Sequence, residues 1–212
     1  MLHYPCPLCL APTRRRGSPL CPGCHRDLPW REDDSVLPTP LADRTLVPFY
    51  YRGPLCRLIN DFKHRSRLPA GQVLGELLAE ALEASYAGPE WPDLILPVPL
   101  HWRRHWWRGY NQTAELGKQL SRRLGIPCQQ QLLQRVRATP RQQQLHRKQR
   151  LHNLQNAFVI HKPLPLRRVA LLDDVITTGS TAHSLVQVLR AAGAHEVHLW
   201  AIAWTPVEKT GA

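Results

Sequence analysis

Apolar and polar positions along this chain follow two alternating periods. Short apolar runs at Thr45–Tyr51, Leu94–Val98, Leu132–Val136, Val169–Leu172 and His195–Trp204 have the length and composition of buried strands. Helical spacing fills the intervals. It predicts a helix from Pro54 to about Phe62, and one over Gln72–Tyr86 with apolar residues at 73, 74, 77, 78, 81 and 82, stopped by Gly88-Pro89. A third covers Thr113–Leu124 and ends at Gly125-Ile126-Pro127. A fourth follows Thr181 with Leu185, Val186, Val188 and Leu189, closed by Gly193. Strands alternating with helices predict an α/β fold, a mostly parallel sheet with helices on both faces. Such sheets bind ligands at the carboxyl ends of their strands, where Asp173-Asp174 and the loop after Val98 both fall.

Length adds one thing to this picture. The 212 residues allow one substantial α/β domain plus a small appendage, which we set at 43–212 and 1–42. The stretch Asp27–Asp43, rich in proline and acids, reads as the linker between them. No apolar stretch reaches the roughly 18 residues of a membrane span, so direct membrane insertion is not expected. Met1 to Cys6 lacks the layout of a secretory signal, which points to the cytoplasm and to reduced cysteines unless they hold metal.

Charge is spread unevenly. The chain carries a formal +12, and residues 101–150 alone hold twelve Arg or Lys against Glu115, a local +11. Such a field attracts polyanions, whether nucleic acid or a pyrophosphate-bearing small molecule. Within it Arg103, Arg104 and Arg108 interleave with Trp102, Trp106, Trp107 and Tyr110. The guanidiniums suit phosphate oxygens, and Pro97 and Pro99 stiffen a turn that presents Arg103 and Arg104 to a pyrophosphate. Aromatics beside cations also suit stacked single-stranded bases, which makes Arg103, Arg104, Trp106, Trp107 and Arg108 a candidate nucleic-acid surface; packing of the same rings into the core is the competing reading. The segment Arg137–Arg150, with Gln142, Gln143, Gln144 and His146, is too polar for core and reads as a hood over the crevice or a nucleic-acid contact. Among the histidines, His101 is the one placed beside the crevice loop.

Two C-x-x-C pairs, Cys6-Pro7-Leu8-Cys9 and Cys21-Pro22-Gly23-Cys24, stand eleven residues apart. Four thiolates at this spacing in a reducing compartment suit a closed, structural Zn²⁺ site, and the short basic segment between them has too little apolar surface to fold unaided. Redox chemistry of one pair, or His25 replacing a cysteine, are the competing readings. Cys56 and Cys128 lack comparable partners.

The most specific segment is Val-Ala-Leu-Leu-Asp-Asp-Val-Ile-Thr-Thr-Gly-Ser-Thr, residues 169–181. A strand, two carboxylates, a hydroxyl-rich glycine loop and a helix start together make an anion cradle with hydrogen-bond acceptors beside it. A ribose 5-phosphate suits this arrangement; an ordinary strand with a Ser/Thr-capped helix is the bland alternative.

The same segment resembles the phosphoribosyl-pyrophosphate (PRPP) motif of type I phosphoribosyltransferases. That resemblance implies that Asp173 and Asp174 hold the ribose hydroxyls and that Thr177, Thr178, Gly179, Ser180 and Thr181 hold the 5-phosphate. Pro97 to Gln112, with Arg137-x-Thr139-x-x-Gln142 and Arg150-x-x-Asn153-x-x-x-Ala157-Phe158, closely resembles the ComF/GntX family, whose members join an amino-terminal zinc finger to a type I phosphoribosyltransferase-like domain. The resemblance spans nearly the whole chain and includes both cysteine pairs. After Phe62-Lys63 the family often continues toward Gly-Asp, where this chain has His64-Arg65-Ser66. The family implies PRPP or a related phosphosugar as ligand and a part in uptake or utilisation of external single-stranded DNA, alongside uptake-machinery proteins. Two other roles share the residues. One is an active phosphoribosyltransferase, with Asp173 and Asp174 as its catalytic acids and Mg²⁺ bridging pyrophosphate and ribose oxygens; the other is a PRPP sensor without turnover.

Overall fold

A computed structural model describes residues 4–13, 19–31, 41–64, 68–86, 88, 90–99, 111–136, 158–160, 162–164 and 167–206. The core is a parallel sheet. Strands β3 (Arg44–Leu46), β9 (Glu196–Trp204), β8 (Arg168–Ile176) and β5 (Leu94–Pro97) lie in that order, and β4 (Phe49–Tyr50) also pairs with β9. Each predicted strand is present with shifted ends. The run at Thr45–Tyr51 is split at Val47-Pro48 into β3 and β4, since proline has no N–H for a continuous ladder. The strand expected over Val169–Leu172 continues through both acids to Ile176, because β9 pairs alongside it as far as Trp204.

Five helices were found among the described residues: α1 (Pro22–Arg26), α2 (Pro54–His64), α3 (Leu68–Ser85), α4 (Gln112–Leu124) and α5 (Ser180–Ala191). Their apolar stripes sort onto the two faces of the sheet. Leu74, Leu77, Leu116 and Leu120 of α3 and α4 join Ile95, Ala170, Leu172 and Trp200 in one core. Leu185, Val186 and Leu189 of α5 join Leu96, Val169, Leu171, Val197 and Leu199 in the other. Alternate residues of β8 thus go to opposite faces, as the period of two requires. Helix α4 stops where Gly125 takes the left-handed conformation (φ 71°) and its N–H donates to the Ser121 carbonyl.

The order in which the parallel strands are laid down reverses between β5 and β8. From β5 the chain runs outward through α4 to a segment bridged in parallel from Cys128 to Ile95. From β8 it runs the opposite way, through α5 on the other face, to β9. A crevice therefore opens at the carboxyl ends of β5 and β8. Two further strands, β6 (Leu133–Arg135) and β7 (Phe158–Ile160), pair antiparallel. The expectation at Leu132–Val136 is met by β6; β7 carries no apolar run long enough to predict it.

The amino-terminal strands β1 (Tyr4–Pro5) and β2 (Pro12–Thr13) pair antiparallel, and α1 follows. Cys6, Leu20 and Leu28 are buried in the same core as Phe49, Leu55 and Leu77. Trp30 lies 4.5 Å from Phe49 between ring centroids, and its Nε1–H donates to the His25 carbonyl. The start of the segment expected to be a linker is thus packed structure, because Leu28 and Trp30 supply the apolar surface. At the amino end of β9, buried His198 lies 2.7 Å from the Tyr86 hydroxyl and 2.7 Å from Glu196 Oε1, a structural network for a histidine that sequence left without a role.

Candidate functional site

Asp173 and Asp174 sit where the sheet steps down. On one side β5 ends at Pro97 opposite Leu172, and the Val98 N–H donates to the Leu172 carbonyl at 2.8 Å. On the other side β9 continues past them. The acids therefore flank the open end of β5 while their strand is held by β9. Asp173 Oδ1 accepts from the Asp174 N–H at 2.8 Å. Burial and the adjacent Asp174 carboxylate push Asp173 up to about 7, against the pull of that hydrogen bond and of Lys63. Asp173 is half-buried.

Lys63, near the carboxyl end of α2, reaches Asp174: Nζ lies 2.8 Å from Oδ1, with both side chains mostly buried. The Lys63 carbonyl accepts from Gln112 Nε2 at 3.4 Å, and Gln112 is fully buried at the start of α4. Beside it, Asn111 Nδ2 donates to the Val98 carbonyl at 3.3 Å, and Thr113 Oγ1 lies 2.7 Å from that same carbonyl. The ends of α2, α4 and β5 are thereby tied together around the acids. Lys63 is the functional candidate that sequence reasoning left without a role. Its signal was a cation closing an amphipathic helix, a pattern shared with many surface lysines.

After β8 the chain turns through Thr177, Thr178 and Gly179 into α5. Thr177 and Thr178 are exposed, Ser180 is buried and Thr181 is half-buried. Thr178 Oγ1 lies 2.9 Å from Ser180 Oγ. Gly179 precedes the helix in the left-handed conformation (φ 72°), and a Cβ built on it would meet Leu41 Cδ1 at 2.6 Å. Only glycine combines that φ with that proximity. The Ser180 N–H points to Thr178 Oγ1 at 3.5 Å, so the exposed hydroxyls and the amino end of α5 share one turn with the acids. Pro99, half-buried just beyond Val98, completes the described rim from the β5 side. Arg103, Arg104, Trp106, Trp107 and Arg108, together with His101, Trp102, Tyr110 and the Arg137–Arg150 segment, lie outside the described residues.

Away from the crevice, the four knuckle cysteines converge. The sulfurs of Cys6, Cys9, Cys21 and Cys24 all lie within 4.8 Å of one another, an arrangement able to hold one metal ion. Cys9 and Cys21 sulfurs are 3.5 Å apart, and the Cys24 N–H points to the Cys21 sulfur at 3.4 Å. Burial opposes ionisation of Cys6, but hydrogen bonding from the backbone of Cys21, Cys9 and Leu8 outweighs it and holds this thiol at about 6. His25 is turned away from the sulfurs: its Nε2 lies 3.8 Å from Glu80 on α3, and its ring sits 5.1 Å from Trp30. The alternative of His25 as a ligand therefore gives way to four cysteines.

Acids at the crevice, a hydroxyl-bearing glycine turn and a four-cysteine knuckle define a doubly wound α/β protein with an amino-terminal cysteine cluster able to hold a metal ion. Competence protein F of Haemophilus influenzae is 37% identical to it over 196 residues, covering 89% of this chain and 86% of that protein. The DNA utilization protein YhgH of Salmonella typhimurium and that of Escherichia coli K12 are each 36% identical over 207 residues, covering 94% of this chain and 90% of theirs. The chain belongs to the family of these competence and DNA-utilisation proteins, the one its motifs resemble. No protein-family model matches it. Among solved structures, a purine phosphoribosyltransferase from Pyrococcus horikoshii Ot3 is 24% identical at a TM-score of 0.40, covering 64% of this chain and 77% of that one. The glutamine PRPP amidotransferase of B. subtilis, 24% identical at a TM-score of 0.40, covers 61% of this chain and 25% of that one.

Proposed function

We propose that this protein binds PRPP or a related ribose 5-phosphate in the β5–β8 crevice and takes part in the uptake or utilisation of external single-stranded DNA. The observation that carries the ligand reading is one turn of chain. Two carboxylates at the end of β8 are followed directly by exposed Thr177 and Thr178, the glycine-only position Gly179 and the amino end of α5. Carboxylate oxygens suit ribose hydroxyls, while hydroxyls and backbone N–H groups suit the 5-phosphate. Mg²⁺ with the pyrophosphate fits this reading, because anionic ligand and acids would otherwise repel. Arg103 and Arg104 are assigned to the pyrophosphate, and with Trp106, Trp107 and Arg108 to nucleic acid. The DNA reading is supported by the relatives named for competence and DNA utilization.

We assign Zn²⁺ to the four cysteines. A tetrahedron of thiolates about 2.3 Å from zinc has edges of about 3.8 Å; the Cys9 and Cys21 sulfurs are 3.5 Å apart and all four lie within 4.8 Å of one another, about 1 Å wider than that edge at most. Residues 1–42 then form the zinc-binding module and its connection, and 43–212 the sugar-phosphate domain. The protein works in the cytoplasm in this reading; among the described residues no helix is long and apolar enough to cross a membrane.

Calorimetric titration with PRPP and Mg²⁺ tests the ligand. Saturable binding that Asp173→Asn/Asp174→Asn abolishes is the expected result, and heat that is the same with and without the acids sinks it. A second reading, transfer of the phosphoribosyl group with release of pyrophosphate, is favoured by one observation. An Asp173 carboxyl held near neutrality is suited to exchanging a proton with an acceptor at physiological pH. A pyrophosphate-release assay over a broad panel of nucleobases decides it: release that depends on both PRPP and an acceptor supports turnover.

A further inference from the structure

We propose that Lys63 reads the substituent on C1 of the bound sugar. It selects a ribose 5-phosphate carrying an anionic group there, so PRPP is preferred to ribose 5-phosphate or a nucleoside monophosphate. The inference rests on the crevice reading above and narrows its ligand class.

Lys63 comes to the acids from the side away from the turn assigned to the 5-phosphate. Helix α2 packs on one face of the sheet through Leu55, Ile59 and Phe62, and α5 packs on the other. Lys63 stands one residue from the end of α2, where buried Phe62 sets its ring against Gly71 of α3. The Lys63 carbonyl accepts from buried Gln112, whose neighbours Asn111 and Thr113 both bond the Val98 carbonyl at the end of β5. The backbone is thus fixed beside the β5 rim, and the long side chain spans from there to Asp174.

Nζ lies 2.8 Å from Asp174 Oδ1, with the two side chains only 18% and 16% exposed. An ammonium has three donors, and among the described residues Asp174 is its one acceptor. Two donors of a mostly buried cation therefore remain for a ligand. Desolvation cancels much of what such a pair adds to stability, and an anionic ligand oxygen recovers part of that cost. The sugar connects this cation to C1. A ribose whose 2- and 3-hydroxyls donate to the acids carries its C1 substituent on the carbon next to the 2-hydroxyl. A cation held on the same carboxylates comes within hydrogen-bonding reach of that substituent. A pyrophosphate there accepts a charge-assisted bond from Nζ, whereas a C1 hydroxyl or a nucleobase offers no anionic oxygen. In this reading Lys63 shares the pyrophosphate with Arg103 and Arg104.

The test titrates the full-length protein, loaded with zinc, by calorimetry at fixed Mg²⁺ with PRPP, ribose 5-phosphate and adenosine 5-monophosphate. Lys63→Met and Lys63→Gln remove the charge at similar length, and each is measured well below its own melting transition. Both variants are expected to weaken PRPP by about tenfold or more while the other two ligands stay within about threefold of wild type. A loss of the same size for all three ligands overturns the inference and makes Lys63 a support for Asp174 alone. Unchanged PRPP affinity in the folded variants also overturns it. Wild type that binds ribose 5-phosphate as tightly as PRPP overturns the C1 preference and leaves the crevice reading standing. No saturable binding of any of the three by wild type overturns both.

Discussion

At the scale of single residues the acid pair dominates. Asp173 is pushed up to about 7 by burial and by Asp174, against an ordinary value near 4. Between those values the folded chain holds a proton that the unfolded chain has lost. Stability therefore falls as pH rises through this window, and the deficit persists above it. Asp173→Asn removes the penalty and keeps the Oδ1 acceptor for the Asp174 N–H. Urea melts should show the variant equal to wild type near pH 4 and more stable at pH 8, by about 1–2 kcal/mol once the open crevice is allowed for. Lys63→Met makes the opposite change by stripping Asp174 of its ion-pair partner. It should destabilise by about 1–3 kcal/mol at pH 8 and by less at pH 5, where Asp173 is protonated. Equal losses at both values would mean that Lys63 contributes packing alone.

At the scale of elements, the β8–α5 connection is the most constrained. Gly179 has to hold φ 72° with Leu41 against its missing side chain. Gly179→Ala should cost about 1–3 kcal/mol in a chemical melt, from the left-handed backbone and the contact together. Calorimetry should show PRPP affinity falling further than stability, because the displaced atoms belong to the turn assigned to the phosphate. This connection was legible in the sequence as strand, acids, glycine loop and helix, since all its parts are contiguous. Its neighbour across the crevice was not. Lys63 lies 111 residues from Asp174, and nothing in its local pattern marks it as a partner. The end of β8 was likewise misplaced, because the acids look like a strand terminus until β9 is seen pairing beyond them.

At the scale of the whole molecule, the cysteine knuckle and the α/β sheet share a core. Cys6, Leu20 and Leu28 pack with Phe49 and Leu55, and His25 reaches Glu80. Metal removal should therefore disturb more than the knuckle. Metal analysis is expected to find about one Zn²⁺ per chain. Chelation, or Cys6→Ser/Cys9→Ser, should lower the melting temperature of the entire protein, with faster amide exchange at Phe49 and Tyr50 as well as at residues 6–28. Loss of protection limited to residues 6–28 would show the knuckle to be an independent unit.

By itself the sequence determined the α/β class, the four cysteines, the acid–threonine–glycine turn and the family. These are written in local spacing, where periodicity, turn chemistry and contiguous motifs act over a few residues. The tertiary structure decided the rest. It placed the crevice between β5 and β8 by reversing the strand order there, and it brought Lys63 to Asp174 and Leu41 to Gly179. Each of these contacts joins segments far apart in the chain. Such pairings arise from sheet register and from burial of both faces at once, which no local window contains.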